Sequence, residues 1–293
     1  LRLVGVKLSR RDCLAVAMTA PCASAAGAKP RVGCQTRAYG SPIPEKAKLL
    51  AVLEDLKATG YDGFETNFRS LEQSFDDPAP MRREIEARGV PLIGMHMGAS
   101  LFDAAKVAEE RAEILRVAKA TRAFGGAHVI VSGRQLPVGR DGHAEQAAIE
   151  AKAREAESLG KQTRAMGVRL SIHNHTHEVA NDGAEIRRFL ELTTTENVGL
   201  LFDVGHVLHE EMDVARFVRE NGKRITGLHV RDVKGGEEVL IGTGVVDFKG
   251  IGKAIHDTGW AGWVIVEVNP REDVPSRDLV ERARGHLRKT MGV

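Results

Sequence analysis

Cysteine is scarce in this chain of 293 residues, which contains only three of them. Cys13 and Cys22 lie in an N-terminal segment with the features of an export signal, and only Cys34 lies beyond that segment. A single cysteine cannot form an internal disulfide. The remaining chain therefore tolerates an oxidising compartment without depending on it for stability.

A strong charge excess and a long apolar run are also missing. The formal net charge is +2, from 42 basic and 40 acidic residues, and it becomes −1 without residues 1–28. Such a balance provides no basic surface for a phosphate backbone, so we expect no nucleic-acid partner. The apolar run from Leu14 to Ala20 is far shorter than the roughly 20 residues that span a bilayer, so we expect no membrane anchor.

The N-terminal segment has the three parts of a signal peptide. The paired arginines Arg10 and Arg11 precede the apolar run that starts at Leu14, and small residues follow between Ala23 and Ala28. The arginine pair resembles a twin-arginine signal, which exports folded proteins. We expect residues 1–28 to be a signal and the protein to be periplasmic or secreted. The alternative is a frayed amphipathic helix.

Short apolar segments alternate with longer amphipathic ones from Arg31 onward. Eight segments are predicted as strands and six as helices. The predicted strands are Val32–Thr36, Gly63–Asn67, Leu92–Met97, His128–Ser132, Arg169–His173, Val198–Asp203, Ile225–Val230 and Trp263–Val268. The predicted helices are Pro44–Thr59, Ala104–Phe124, Ala144–Met166, Gly183–Thr193, Phe248–Thr258 and Ser276–Met291.

This alternation predicts an α/β fold with a parallel sheet, because parallel neighbours are joined through crossover helices. Eight such units in residues 29–293 match a (βα)8 TIM barrel, which typically needs about 250 residues. A doubly wound open sheet usually has a Gly-rich turn after its first strand, and no G-x-G-x-x-G follows Thr36.

Polar side chains are concentrated where the predicted strands end. They are mainly histidines and carboxylates, and in a barrel they converge on one mouth. A lone histidine at such a position is most often a hydrogen-bonded structural residue. An Asp, a His and a Glu on three successive strand ends instead form a mixed nitrogen and oxygen site for a divalent ion. The polar residues at strand ends include Glu65, His96, His173, His175, Asp203, His206, His229 and Glu267.

Three motifs at these strand ends resemble those of the xylose-isomerase-like barrels. The segment from Asp203 to His206 resembles the D-x-x-H motif after strand six, and that from His229 to Asp232 resembles H-x-K/N-D on strand seven. Residues 240–247 are similar to L-G-x-G-x-[IV]-D, and Glu267 matches the glutamate that closes strand eight. The resemblance spans nearly all of residues 29–293 and implies a family of sugar epimerases, isomerases, inosose dehydratases and endonuclease IV enzymes.

The resemblance implies one divalent metal ion (Mn, Mg, Co or Zn), with Asp203, His229 and Glu267 as ligands. Many family members have Glu-Asn-His at the end of strand five, where this chain has His173-Asn174-His175. Strand alternation lets His173 point inward as the fourth ligand. Glu178, which reaches back from the following loop, is the alternative.

The chain departs from the endonuclease at strand four, which ends in Ile130–Arg134 without the additional histidine ligand. Because the net charge is also near zero, DNA cleavage is not expected.

The remaining polar residues are assigned as substrate or proton contacts. Glu267 is the first candidate for moving a proton, because related epimerases use this glutamate for that purpose. His175 is the candidate second proton carrier or a substrate contact. We also expect Arg231 to bind a substrate group, the alternative being a salt bridge with Asp232 or Asp203. Residues expected to face the substrate or support the ligands are Glu65, His96 and His206.

These assignments predict an isomerase or epimerase that removes a proton next to the carbonyl of an unphosphorylated keto sugar. Loss of a β-substituent from the same intermediate would make the protein a lyase or dehydratase, acting on a 3-keto-glycoside or an inosose. A non-catalytic sugar-binding barrel is the alternative of another class. The sequence is also compatible with a homo-oligomer.

Overall fold

Eight parallel strands close into a barrel in the computed structural model, which describes residues 29–209 and 212–293. The order around the barrel is β1-β10-β7-β6-β5-β4-β3-β2, so consecutive barrel strands are neighbours throughout. The predicted TIM barrel is therefore confirmed. The barrel strands are β1 (Arg31–Gln35), β2 (Gly63–Asn67), β3 (Leu92–Gly98), β4 (His128–Ser132), β5 (Arg169–His173), β6 (Val198–Asp203), β7 (Ile225–Val230) and β10 (Trp263–Val266).

Within residues 29–209 and 212–293, eight α-helices surround the barrel, and a small antiparallel hairpin of β8 (Asp232–Lys234) and β9 (Glu237–Val239) follows β7. No helix in the described ranges has both the length and the apolar character needed to cross a membrane. The helices are α1 (Lys46–Ala58), α2 (Pro78–Arg88), α3 (Val107–Ala123), α4 (Gln146–Ala165), α5 (Thr176–Leu192), α6 (Val214–Asn221), α7 (Phe248–Thr258) and α8 (Ser276–Thr290).

Two helices were not predicted from the sequence. Helix α2 buries only Met81 and Ile85, which is too few apolar positions to give a recognisable stripe, although Pro78 stands at its first turn. Helix α6 has only eight residues. The last barrel strand, β10, ends at Val266, two residues earlier than predicted.

Helix α5 begins seven residues earlier than predicted, because a separate first turn precedes its amphipathic part. The two parts are divided by a kink in which Ala180 is extended and Asn181, Asp182 and Gly183 have left-handed backbone angles. Glycine adopts such angles without strain, and Asn and Asp tolerate them. The kink separates the first turn after β5 from the amphipathic part of the helix.

The interior of the barrel changes from apolar to charged along its axis. Inward-facing Leu201 and Ile265 belong to a small apolar cluster inside the barrel. Asp203 lies two residues after Leu201, and Glu267 lies two residues after Ile265. Because side chains alternate along a strand, both carboxylates also face inward. The interior therefore has an apolar floor and a charged upper layer, at the end of the barrel where active sites of this fold lie.

The predicted export signal, residues 1–28, lies outside the described residues.

Candidate metal centre

Four side chains from four neighbouring strand ends meet at the barrel mouth. They are His173, Asp203, His229 and Glu267, here called the mouth cluster, and all four are buried. One nitrogen or oxygen from each lies within 4.8 Å of the others. The parallel register brings them together, because Asp203 pairs with His229 across β6 and β7.

The spacing within the mouth cluster suits direct coordination of one ion. His173 Nε2 lies 3.4 Å from Asp203 Oδ2 and 3.8 Å from Glu267 Oε2, and His229 Nδ1 lies 2.9 Å from the same Glu267 oxygen. Four ligands at about 2.0–2.2 Å from a tetrahedral ion lie roughly 3.4 Å apart. The observed separations therefore fit this geometry after small movements.

Two ring nitrogens of the mouth cluster face carboxylates without an aligned hydrogen bond. His173 Nε2 and His229 Nδ1 are both buried and lie 2.9–3.8 Å from carboxylate oxygens, yet neither makes a well-aligned hydrogen bond to any described residue. The opposite nitrogen of His229 lies 2.8 Å from Glu65 Oε2 and donates its proton there, so Nδ1 faces the cluster and can bind a cation once it loses its own proton. Two imidazoles and two carboxylates are a ligand set suited to Zn, Mn or Co. The residues present therefore fit a divalent metal.

Arg231 compensates the negative charge of the two carboxylates in the mouth cluster. Its Nη2 lies 2.5 Å from Asp203 Oδ2 and 2.6 Å from Glu267 Oε2, the same oxygens that face the histidines. Gly205 allows this approach, because a Cβ there would lie 2.1 Å from Arg231 Cγ. The guanidinium therefore occupies a position in which it would compete with a metal ion.

The buried charges shift the pKa values of the cluster in opposite directions. Burial lowers the pKa of His229, but the carboxylates of Glu65 and Glu267 outweigh burial and raise it to about 10. Burial also raises the pKa of Glu267, but His229, His173 and Arg231 hold it well below its usual range. The carboxylates are therefore ionised at neutral pH and are neutralised by Arg231 and by the protonated His229 ring, whose proton a divalent ion would displace.

A cavity of about 230 Å³ opens above the mouth cluster. Of the predicted contacts, His96, His175, His206 and Arg231 line this central cavity, as does Glu267. Residues that sequence reasoning missed also line it. Three of them end the strands β1, β2 and β4, where their position was the available signal, and two lie in the segment after β1. These are Gln35, Arg37, Ser41, Asn67 and Ser132.

Glu65 lies beneath the central cavity rather than on its wall. It is fully buried and bridges His229 and His96, whose Nδ1 lies 2.9 Å from Glu65 Oε1. Burial raises the pKa of Glu65, but the two histidines outweigh it and lower the pKa to about 2. Glu65 therefore orients a ring of the mouth cluster from outside.

Asn174, another residue that was missed, fixes the backbone of Asp203. Its side-chain amide donates to the Asp203 carbonyl at 3.1 Å and accepts from the Asp203 N–H at 2.9 Å. These two bonds join the ends of β5 and β6.

Glu178 belongs to a second buried charged group, here called the Lys152 cluster (Lys152, Glu178 and Glu185). Lys152 Nζ donates to Glu178 at 2.8 Å and to Glu185 at 2.9 Å. The other oxygen of Glu178 accepts from the His175 N–H at 2.7 Å, which closes the first turn of α5. Glu178 thus lies outside the mouth cluster. One feature of the sequence could have indicated this ion pair: Lys152 occupies a position on the apolar, buried stripe of α4, where a lysine needs a buried carboxylate partner.

His175 lies between the two clusters. Its ring centroid is 5.2 Å from that of His173, and its side chain is half-buried. Burial and the neighbouring His173 lower the pKa of His175 to about 4. A neutral imidazole therefore faces the central cavity at neutral pH.

Comparison with known proteins identifies related sequences. An inosose dehydratase from Lacticaseibacillus casei is 30% identical over 158 residues, which is 47% of this chain and 53% of that protein. The chain thus spans about half the length of the inosose dehydratases that it matches. The rhizopine catabolism protein MocC from Rhizobium meliloti is 27% identical over 242 residues, 73% of each chain.

Solved structures share the fold. An L-ribulose 3-epimerase superposes with a TM-score of 0.78 at 20% identity, covering 90% of this chain and 95% of the other. A 3-keto-D-glucoside 4-epimerase from E. coli gives 0.71 at 19% identity, covering 88% and 100%. IOLI with a bound zinc atom gives 0.72 at 15% identity, covering 89% and 98%.

The match to a known family covers most of the chain. Residues 53–290 match the xylose isomerase-like TIM barrel family, and this segment contains every residue of the mouth cluster. The protein belongs to the xylose isomerase-like TIM barrel family.

Proposed function

We propose that the protein is a divalent-metal-dependent isomerase or epimerase that removes a proton from the carbon next to the carbonyl of a keto sugar. The observation that carries this proposal is the position of Glu267. Its carboxylate belongs to the mouth cluster and also lines the central cavity, so it can reach both an ion and a sugar.

The ligands of the ion are proposed to be His173, Asp203, His229 and Glu267. When bound, a divalent ion polarises the carbonyl and acidifies the adjacent C–H. Glu267 accepts the proton as the C–H electrons move towards the carbonyl, which gives an enediolate. His175, on the cavity wall, would deliver its ring N–H proton to the other face or to the neighbouring carbon while its other ring nitrogen takes up a proton from water.

The cavity suits an unphosphorylated sugar. Among the residues that line it, Arg37 donates to Asn269 Oδ1, and Arg231 is paired with Asp203 and Glu267. The Arg231 guanidinium is therefore not free for a phosphate group, which leaves Arg37, with one neutral partner, as the other guanidinium of this lining. The signal-like segment over residues 1–28 supports the same proposal, because phosphorylated sugars are scarce outside the cytoplasm.

A lyase or dehydratase is the second candidate. The sequence similarity to inosose dehydratases favours it. The same proton abstraction would be followed by departure of a β-substituent with its bonding electrons. His175 would pass a proton to the leaving oxygen from one ring nitrogen while the other takes up a proton from water.

Deuterium exchange tests the proposal. The metal-loaded protein would be incubated in D2O with a panel of keto sugars, beside Glu267→Gln and His175→Phe. We expect wild type to incorporate deuterium at the carbon next to the carbonyl, and Glu267→Gln to lose about 10³-fold or more of this rate. Loss of a β-substituent would identify a lyase. Sugar binding without exchange would overturn the proposal in favour of a non-catalytic binding protein.

A further inference from the structure

A chain of hydrogen bonds outside the mouth cluster connects both of its histidines to one buried carboxylate. Glu65 Oε2 lies 2.8 Å from His229 Nε2, and Glu65 Oε1 lies 2.9 Å from His96 Nδ1. The His96 ring continues to the Ser132 hydroxyl, whose oxygen makes a long hydrogen bond of 3.5 Å with His173 Nδ1. Glu65, His96 and Ser132 are here called the outer chain.

The strand register places the outer chain beside the mouth cluster. Ser132 and His173 are paired across β4 and β5, and Gly98, two residues after His96, is paired with Ser132 across β3 and β4. Ile130, two residues before Ser132, belongs to the apolar cluster inside the barrel. Because side chains alternate along a strand, Ser132 and His96 therefore point into the barrel beside His173.

The carboxylate of Glu65 fixes the direction of these hydrogen bonds. An ionised carboxylate accepts hydrogen bonds and donates none, so His229 Nε2 and His96 Nδ1 both carry protons. A neutral imidazole has one donor and one acceptor, so His96 Nε2 accepts from the Ser132 hydroxyl. The Ser132 oxygen has then donated its single proton, and it can only accept from His173 Nδ1.

This direction leaves a lone pair on each ring nitrogen that faces the ion site. With its proton on Nδ1, a neutral His173 has its lone pair on Nε2, which lies 3.4 Å from Asp203 Oδ2. A neutral His229 with its proton on Nε2 likewise has its lone pair on Nδ1, which lies 2.9 Å from Glu267 Oε2. A metal ion binds an imidazole through the nitrogen without a proton. One buried carboxylate thus prepares two ligands.

The outer chain opposes a competing arrangement of the His173 ring. The carboxylate oxygens of Asp203 and Glu267, at 3.4 Å and 3.8 Å from Nε2, favour a proton on that nitrogen. A proton there would block coordination of an ion. The Ser132 oxygen favours the proton on Nδ1 instead, because it accepts a hydrogen bond from that nitrogen.

We propose that Ser132 and His96 are positioning residues that hold His173 in the tautomer that binds the metal ion. Glu65 is the fixed end of this chain and prepares His229 directly. The inference rests on the proposed function for the role of His173 as a metal ligand. None of the three outer residues needs to touch the ion, because each acts through a ring of the mouth cluster.

Zinc affinity tests this inference without any substrate. Metal-stripped protein would be titrated with zinc against a competing dye at about pH 8, where an ordinary histidine is neutral. Loss of a residue that hydrogen-bonds a metal ligand costs about 10- to 100-fold in affinity, so Ser132→Ala should weaken zinc binding about tenfold or more. Ser41→Ala, which removes a hydroxyl from the same cavity wall outside the outer chain, should stay within about twofold. Full zinc affinity in Ser132→Ala would overturn the inference.

His173→Glu tests whether the effect of Ser132 passes through the tautomer of His173. A carboxylate has no tautomers and offers an oxygen to the ion whichever way its neighbours donate. Adding Ser132→Ala to His173→Glu should therefore change zinc affinity by less than about twofold. The same tenfold loss in both backgrounds would mean that Ser132 acts through packing alone, and the inference would fail.

The position of the proton on His96 is a second test, which decides the inference even if His173→Glu does not fold. Long-range ¹H–¹⁵N spectra of the zinc-loaded protein with labelled histidines distinguish the two tautomers, and His96→Gln identifies the signals of this ring. We expect the proton on Nδ1, and a proton on Nε2 would overturn the inference. Zinc binding with the expected tautomer but without deuterium exchange into a sugar would reject the proposed function alone. Exchange in a wild type whose His96 has its proton on Nε2 would reject only the inference.

Discussion

The mouth cluster and the Lys152 cluster are both buried groups of charged side chains, but their charged groups differ in how they are hydrogen-bonded. In the Lys152 cluster the single cation donates to both carboxylates, and Glu178 also accepts a backbone N–H. In the mouth cluster two ring nitrogens face carboxylate oxygens without a well-aligned hydrogen bond to any described residue. A buried polar group without an aligned partner is costly. The carboxylates of the first cluster are therefore held by a fixed lysine, whereas the second cluster is suited to a ligand.

The largest expected difference is in metal affinity. Asp203→Asn and Glu267→Gln each remove a charged ligand from the mouth cluster, so metal affinity should fall by about 10⁴-fold. This is more than the 10- to 100-fold loss expected when a residue that only hydrogen-bonds a metal ligand is removed. Elemental analysis after gel filtration should give about one ion per chain for wild type and almost none for either variant. Glu185→Gln, in the Lys152 cluster, should retain its ion. Equal loss in all three variants would remove the distinction between the clusters.

The free energy of unfolding should depend on the Lys152 cluster rather than on the mouth cluster. Lys152→Met leaves Glu178 and Glu185 buried without a cation, so the free energy of unfolding should fall by about 3–5 kcal/mol. Urea denaturation followed by circular dichroism measures this loss. Lys161→Met, at an exposed position of the same helix, should stay within about 0.5 kcal/mol of wild type.

Two further substitutions test the cause of that loss. Adding Glu178→Gln and Glu185→Gln to Lys152→Met removes the unpaired charges and should restore part of the stability. No recovery would mean that packing around the lysine stem, rather than charge, accounts for the effect.

Metal binding should add stability only through the mouth cluster. At a free zinc concentration of 100 times Kd, the free energy of unfolding of metal-stripped wild type should rise by about 2.7 kcal/mol. Asp203→Asn should show no rise, whereas Lys152→Met should show the full increment, because the two clusters share no ligand. An increment in Asp203→Asn would locate the ion elsewhere.

The smallest effect concerns Arg231, which competes for the carboxylate oxygens that face the histidines. Arg231→Met should tighten metal binding about tenfold, or about 1.4 kcal/mol, because a cation no longer has to displace the guanidinium. A competition titration with a metal-binding dye measures this change. Arg216→Met, at an exposed position on α6, is the control. Weaker binding in Arg231→Met would mean that the arginine supports the ligands instead.

The fold could be predicted from the sequence because its signal is local. Gly63–Asn67, His128–Ser132, Arg169–His173, Val198–Asp203 and Ile225–Val230 are bounded in the structure as predicted. Segments such as His128–Ser132 and Val198–Asp203 are short runs with apolar interiors, and the crossover rule then fixes parallel neighbours. Helix α2 was missed because only Met81 and Ile85 mark its buried face.

The sequence by itself determined which side chains stand at the strand ends, because strand alternation fixes the direction of Asp203 and Glu267 without any knowledge of their neighbours. Only the tertiary structure decided which of them meet. His173 lies with the mouth cluster while Glu178, five residues later, pairs with Lys152 from another helix. A pairing across 26 residues leaves no periodic trace in the sequence. It depends on the packing of α4 against β5 and α5, and so on the closed barrel as a whole.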